Sequence, residues 1–315
     1  MLQSLQRKAD PQQSAVVAVI AALNADVVLL TGMDYDLRLA ALDALVVRLA
    51  VAGASYPYRF ALRPNTGVAT GQDLNRNGRI GEPQDAMGYG RFAGAGGMAI
   101  LSRLPIDSDS SRDFSGLLWV DLPGNLSPPD TPQAVKDIQM LSTTGHWEVP
   151  LRLPTGGILR LLAWHGSPPV FDGPEDRNGR RNHDEAAFWL RLLDGELTVP
   201  PPEPPFVVLG QSSLDPVDGE GLPTAIRALL AHPGLQDTMP RGGGSRDDPG
   251  HSGDAALDTA YYAGIGGLRV DLVLPSTDLT VIGSGVMWPE NGDPFAAMLA
   301  TASRHRPVWV DIELP

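Results

Sequence analysis

The sequence contains no cysteine. Disulfides, thiolate nucleophiles and cysteine-based zinc sites are excluded outright, and the redox compartment is left open. A basic run is missing too. The formal net charge is -13, and Arg177, Arg180 and Arg181 are interleaved with acids. A nonspecific nucleic-acid binder carries a basic stripe that neutralises phosphates, so nucleic acid is not expected as a partner. No apolar run reaches the roughly 18 residues of a membrane helix. The longest candidate, SAVVAVIAALNADVVLLTG, is broken by Asn24 and Asp26 and reads as helix then strand. The start, MLQSLQRKADPQQ, has no apolar secretory core, so a signal peptide is expected to be absent or already removed. There is no Gly-x-Ser-x-Gly elbow. Ser212 and Ser213 follow a strand pattern without an oxyanion loop, which disfavours a serine hydrolase.

What is there is enough for a large core: 315 residues, 43% of them hydrophobic. With no long polar linker, residues 1–315 read as one domain with long loops at 63–97 and 122–138. Helices are expected from Pro11 to about Leu23, from Asp36 to about Ala50, from Asn182 to Gly195 and over LPTAIRALLAH. Asn182 and Glu185 suggest a capping box for the third. Strands are expected over DVVLLTG, GMAILSRLPI, GLLWVDLPG, HWEVPLRL, ILRLLAWHG, PFVVLG, LRVDLVLP, LTVIGSG and RPVWVDIEL. Adjacent strands interspersed with a few helices predict an α/β sandwich, two sheets face to face with helices outside.

Four stretches carry the chemistry: DVVLLTGMDYD, LLAWHGSPPVFDGPEDRNGRRNHDE, VVLGQSSLDP, and LRVDLVLP with SRHRPVWVDI. Together they closely resemble the endonuclease/exonuclease/phosphatase superfamily, and more narrowly a bacterial, often exported branch of it. The resemblance runs from about Pro11 to the C-terminus. It implies a four-layered, DNase I-like α/β sandwich that hydrolyses phosphoesters with Mg²⁺ or a similar ion, in a periplasmic or extracellular setting. A glutamate would hold the metal, a strand-end histidine would touch the phosphate, and an Asp and an Asn in a turn would orient water and substrate. A terminal Ser-Asp-His motif would complete the site.

Several of those positions are substituted. Gly32 stands at the metal-binding glutamate, Gln211 at the turn aspartate, Ser213 at the turn asparagine and Arg304 at the terminal aspartate, whereas His165, Asp271 and His305 remain. The family's first strand has no counterpart in the chain. Mg²⁺ needs hard oxygen ligands with one or two carboxylates; glycine supplies nothing, and a glutamine oxygen is no proton acceptor. Arg304 is expected to place a cation where His305 needs an anion. One such change typically lowers a rate by about 10²–10⁴, so Mg²⁺ is not expected at this site. Two readings follow. One is a non-catalytic member in which Arg304, His165 and His305 bind a small anion or phosphate, or in which the protein serves a protein partner. The other is a remodelled hydrolase acting on an unidentified phosphoester.

A second metal is suggested by DLNRNGRIGEPQD. Asp73, Asn75 and Asn77 fall at positions 1, 3 and 5 of a calcium loop, Gly78 at 6, the Arg79 carbonyl at 7, and Asp85 follows Gln84 at the end. Two carboxylates predict weak structural Ca²⁺ binding, on the order of 10⁻⁴–10⁻³ M; the alternative is a plain Asn-Gly turn. Asp172, Glu175, Asp176, Asp184 and Glu185 read as a self-paired loop and helix cap, and His183 as a surface residue. His146, His232 and His251 receive no role. Trp147, Trp164, Trp189 and Trp309 are expected to fill core.

Overall fold

The structure is a computed structural model, and it describes residues 10–244, 248–290 and 292–314. The helices are α1 (Pro11–Leu23), α2 (Ala40–Val51), α3 (Gln133–Lys136), α4 (Arg177–Leu193), α5 (Thr224–Leu230) and α6 (Pro294–Ala302). The strands are β1 (Val27–Met33), β2 (Tyr58–Phe60), β3 (Gly97–Ser102), β4 (Arg112–Asp113), β5 (Gly145–Arg152), β6 (Ile158–His165), β7 (Phe206–Gln211), β8 (Ala260–Tyr262), β9 (Gly266–Leu268), β10 (Asp271–Pro275), β11 (Thr280–Val286) and β12 (Val308–Glu313).

One sheet has the order β10-β7-β6-β5-β4 and is mixed, because β6 and β7 run parallel while its other pairs are antiparallel. The facing layer comes in two antiparallel pieces, β1-β3-β2 and β11-β12. Residue alternation on the strands explains the layering. Trp147, Val149 and Leu151 of β5 and Leu161 and Ala163 of β6 meet Phe60, Met98 and Ile100 between the sheets. The opposite faces of β6, β7 and β10, with Leu162, Trp164, Val208, Leu272 and Leu274, are covered by α4 and α5. Val17 and Ile20 of α1 and Leu42, Leu45 and Leu49 of α2 cover Val28, Ala99 and Leu101 on the other side. The result is helices, sheet, sheet, helices. No helix among the described residues is long and apolar enough to cross a membrane.

Several elements differ from expectation. GLLWVDLPG is a 3₁₀ turn, Trp119–Asp121, in place of a strand. Its apolar residues pack on α4, and the buried Trp119 Nε1 donates to Asp184 Oδ2 at 2.6 Å. The helix expected from Asn182 is α4, which starts at Arg177, five residues earlier. Asn182 is an interior residue whose amide donates to the Ser167 and Ser212 carbonyls, so it does not cap. The start was hidden because RNGRR presents polar residues toward loops and carries no apolar period. Helix α6 was not expected, although its signal is present: Asp293 accepts from Phe295 N–H and Pro294 occupies the first turn. The 122–138 loop contains α3. His183 lies inside α4, half-buried, with Nε2 2.9 Å from Thr224 Oγ1. His146 is a core residue, 1% exposed.

Candidate functional site

Strand pairing gathers the retained residues. His165 of β6 is in register with Gln211 of β7, and Gln211 with Asp271 of β10. Residues in one row across neighbouring strands share a face, so all three side chains face the opposite sheet. His305 follows α6 and bridges to Ala260 of β8. Its Nδ1 lies 2.8 Å from Asp271 Oδ2, which also accepts from Thr259 Oγ1 at 2.9 Å. The carboxylate can only accept, so Nδ1 carries the proton and Nε2 presents a lone pair. Tyr262 OH stands 3.4 Å from that Nε2. Burial, with help from Asp271, pushes the Tyr262 phenol up to about 12, so it stays a donor.

His165 is held neutral: burial pushes its ring down to about 4, and His305 nearby acts in the same direction. Its Nδ1 is buried without a hydrogen-bond partner. The residue keeps part of its surface in solvent.

Across from this row, β1 breaks register between Thr31 and Met33. Gly32 sits in that irregularity with φ +75°, and a Cβ there would meet nothing within 4 Å. Thr31 Oγ1 donates to Gln211 Oε1 at 2.9 Å, and Gln211 Nε2 donates to Ser213 Oγ at 3.3 Å. Ser213, in the left-handed region at φ 54°, donates to the Gly166 carbonyl at 3.1 Å. Gln211 and Ser213 therefore form a neutral clamp that ties the two sheets and the turn after β6.

Arg304 corrects one expectation. Its guanidinium lies over the Tyr262 ring, 5.4 Å from the centroid, and His305 keeps an anionic partner in Asp271. The cation is displaced onto an aromatic face and does not take the place of His305's carboxylate.

The donor set can be weighed against Mg²⁺. Gly32 offers no ligand, the Gln211 oxygen is committed to Thr31, Ser213 is a neutral hydroxyl, and Asp271 turns one oxygen to His305 and Thr259. A hard dication that demands near-octahedral oxygen ligation with carboxylates is poorly served by this set.

At the other candidate site, Asp73 accepts from Asn77 and Gly78 N–H, Asn75 from Asn77 N–H, and Asn77 Oδ1 from Arg79 N–H. The chain thus curls as the spacing implies. Asp85 is buried and spends its two oxygens on Leu74 and Glu82 N–H, so it closes the loop from inside.

The acidic run divides. Asp172 accepts from Asn178 N–H, as a self-paired loop would. Glu185 goes inward: it is fully buried and accepts from Thr143 N–H and Oγ1 and from Ser167 N–H and Oγ. Arg181 is buried beside it and donates to the Met87, Met140 and Leu141 carbonyls. Sequence reasoning missed Thr259 and Tyr262. Neither lies in a charged motif; only the short Ala-Tyr-Tyr alternation of β8 marked a strand there.

Among solved structures, the chain is similar to the endonuclease/exonuclease/phosphatase of Beutenbergia cavernae, with TM-score 0.56 and 18% identity over 96% of this chain, though only 66% of that one. It is also similar to the endonuclease/exonuclease/phosphatase of Bacteroides vulgatus, with TM-score 0.53 and 14% identity over 97% of this chain and 91% of that one. A family protein of Leptotrichia buccalis gives 0.52 and 14% over 96% and 93%. These likenesses bear out the DNase I-like sandwich. No curated protein matches the sequence. The sequence pattern of the Endonuclease/Exonuclease/phosphatase family matches residues 3–305, and the chain therefore belongs to that family.

Proposed function

We propose that this family member has lost metal-dependent phosphoester hydrolysis and keeps its old site as a place for a small phosphate-like anion. The observation that carries the reading is the Thr31–Gln211 hydrogen bond beside Gly32. It puts a neutral amide, already engaged, where the family's chemistry needs free carboxylates. Without those carboxylates Mg²⁺ loses its anchor, while the Arg304 guanidinium and the Tyr262 phenol offer donors suited to an anion. The overall charge of -13 argues against nucleic acid as the anion. Export, implied by the resemblance, belongs to the same proposal, as does weak structural Ca²⁺ at Asp73, Asn75 and Asn77.

Calorimetry with inorganic phosphate tests it. Saturable binding at millimolar or lower concentration is expected, weakened about tenfold or more in Arg304→Ala. No heat from the unmodified chain, or equal heat from the variant, overturns the anion reading.

A second reading is favoured by the intact His305–Asp271 pair. An imidazole oriented by a carboxylate is a competent general base, which a remodelled hydrolase would use on an unidentified phosphoester. Turnover of a phosphomonoester or phosphodiester without added metal, lost in His305→Gln, separates this reading from the first.

A further inference from the structure

Asp271, His305 and Tyr262 stand in series. Asp271 Oδ2 holds His305 Nδ1–H at 2.8 Å, which turns the Nε2 lone pair to the Tyr262 phenol, 3.4 Å away. Thr259 donates to the same Asp271 oxygen at 2.9 Å, so the carboxylate is itself fixed. A hydroxyl, a base within reach of it and a third group that orients the base are the parts of an activated oxygen nucleophile. The phenol contact is long for a hydrogen bond, and contacts of this kind tighten when a ligand enters.

The backbone holds the series in place. Ala260 of β8 bridges to His305, Tyr261 N–H donates to the Arg304 carbonyl at 3.0 Å and Arg306 N–H to the Thr259 carbonyl at 2.6 Å. β8 and the segment before β12 therefore run side by side. Tyr262 pairs with Gly266 of β9, and Ile265 N–H returns to the Tyr262 carbonyl at 3.0 Å, so a tight turn fixes the strand end. The Tyr262 and His305 rings meet edge to face, with centroids 5.9 Å apart at 86°.

What the substitutions removed and what they added fit together. The positions that would orient water are engaged elsewhere: Gln211 with Thr31 and Ser213, and Ser213 with the Gly166 carbonyl. The base that survives, His305, is aimed at a phenol. Arg304 brings a cation to that same phenol. It is exposed and lies over the Tyr262 ring, 5.4 Å from the centroid, on a side chain long enough to turn onto a phosphoryl group beside the ring. A guanidinium matches two phosphoryl oxygens at once, and a fixed cation at developing negative charge is the stabilisation that phosphoryl transfer needs.

We infer that Tyr262 is the nucleophile of a metal-independent phosphoester cleavage that passes through a phosphotyrosine, with His305 as base and then acid and Arg304 on the phosphoryl oxygens. The inference rests on the remodelled-hydrolase reading and supplies its chemistry. As the Oη–P bond forms, the Tyr262 proton moves to His305 Nε2. The P–O bond to the leaving group breaks, and the departing oxygen takes that proton from Nε2. Water then gives a proton to Nε2 while its oxygen bonds to phosphorus. The P–Oη bond breaks, and the phenolate recovers the proton. The sum is a phosphoester and water becoming an alcohol and the released phosphate or phosphomonoester, with no further reactant. One guanidinium stabilises less leaving-group charge than a bound dication, so the substrate class is a phosphoester with a weakly basic leaving group, such as an aryl phosphoester.

The test uses the full chain and bis(p-nitrophenyl) phosphate with EDTA present. A burst of p-nitrophenol that scales with protein concentration is expected, together with an acid-stable adduct located on Tyr262 by peptide mass spectrometry. Tyr262→Phe, which keeps the ring under Arg304, should abolish the adduct and lower release about 10²-fold or more, and His305→Gln should slow both comparably. The position of the adduct on the unmodified chain decides the matter if a variant does not fold. Turnover that is lost in His305→Gln but unchanged in Tyr262→Phe keeps the hydrolase reading and overturns the inference. An acid-labile adduct on His305 overturns it as well. An adduct on Tyr262 that never turns over keeps the nucleophile and removes the hydrolase reading. Neither release nor adduct overturns both.

Discussion

Asp271 and His305 stand 2.8 Å apart, Oδ2 to Nδ1, although 34 residues separate them. One comes from a sheet strand and the other from the segment after α6. Their contact closes the C-terminal part of the molecule onto the five-stranded sheet, and Thr259 locks it by donating to the same oxygen.

Removing that carboxylate should therefore cost stability as well as ring orientation. Asp271→Ala is expected to lose about 2–3 kcal/mol, the range of a hydrogen bond to a charged group that leaves partners unsatisfied. Urea unfolding measures it. A loss below about 0.5 kcal/mol would mean that the pair is incidental to the fold.

His146 makes stability depend on pH. Its Nε2–H donates to the Glu185 carbonyl and its Nδ1 accepts from Ser142 Oγ, so the buried ring is neutral. Burial, opposed by the Glu185 carbonyl, holds it at about 4 against the ordinary 6.5. Below the ordinary value the unfolded chain takes up a proton that the folded chain refuses. Stability should thus fall as pH drops from about 6.5 toward 4, by at most about 1.4 kcal/mol per pH unit for each such ring. Urea midpoints at neutral and mildly acidic pH should show the loss, and a His146→Gln variant should show a shallower slope. An unchanged slope in the variant would place the pH dependence elsewhere.

Glu185 is the anchor of the same region. Its four donors come from Thr143 and Ser167, which flank the turn that follows His165. Glu185→Ala leaves these donors and the buried Arg181 charge without the carboxylate, and about 3–5 kcal/mol of stability should be lost. Thermal unfolding checks the value. Retention of the full melting temperature would show that water replaces the carboxylate without strain.

These residues show what could be seen in the sequence and what could not. The sandwich and the strands ending at His165 and Gln211 and opening at Asp271 are legible in local apolar runs, whereas the convergence of these residues with His305 is what the resemblance to the family implies. Glu185, His146 and Thr259 did not. Glu185 and His146 are polar residues buried by tertiary contacts, and sequence position alone reads such residues as surface. Thr259 acts through Val270 and Asp271, 11 and 12 residues away. The start of α4 was missed because its first turns carry no apolar face, and the Trp119 turn because an apolar run can pack on a helix as well as join a sheet. The position of Arg304 over Tyr262 could not be foreseen either, since the sequence gives a charge and not its direction.

Calcium should stabilise the loop at Asp73 modestly. With a dissociation constant on the order of 10⁻³ M, about 10 mM Ca²⁺ contributes about 1–2 kcal/mol. A rise in melting temperature is expected with Ca²⁺ and should vanish in Asp73→Ala. An identical rise in the variant would make the loop an Asn-Gly turn without an ion.

The last prediction concerns restoration of the site. The unmodified chain should show no Mg²⁺- or Mn²⁺-dependent turnover of phosphomonoesters, phosphodiesters or DNA. Replacing Gly32→Glu, Gln211→Asp, Ser213→Asn and Arg304→Asp together should create millimolar Mg²⁺ binding visible by calorimetry. Space is available for the first change, because a Cβ at Gly32 meets nothing within 4 Å; its φ of +75° adds a strain of about 1–2 kcal/mol for an L-residue. Ser213 already sits at φ 54°, a conformation asparagine tolerates better than most residues. Gln211→Asp removes the hydrogen bond from Thr31 and frees a carboxylate to face the metal, while Arg304→Asp removes the nearby cation. Turnover need not follow metal binding, since substrate positioning depends on the whole rim. Robust Mg²⁺-dependent turnover by the unmodified chain, abolished by His165→Ala, would show instead that the neutral clamp of Gln211 and Ser213 opens to let a metal in, and the proposed loss of hydrolysis would fall.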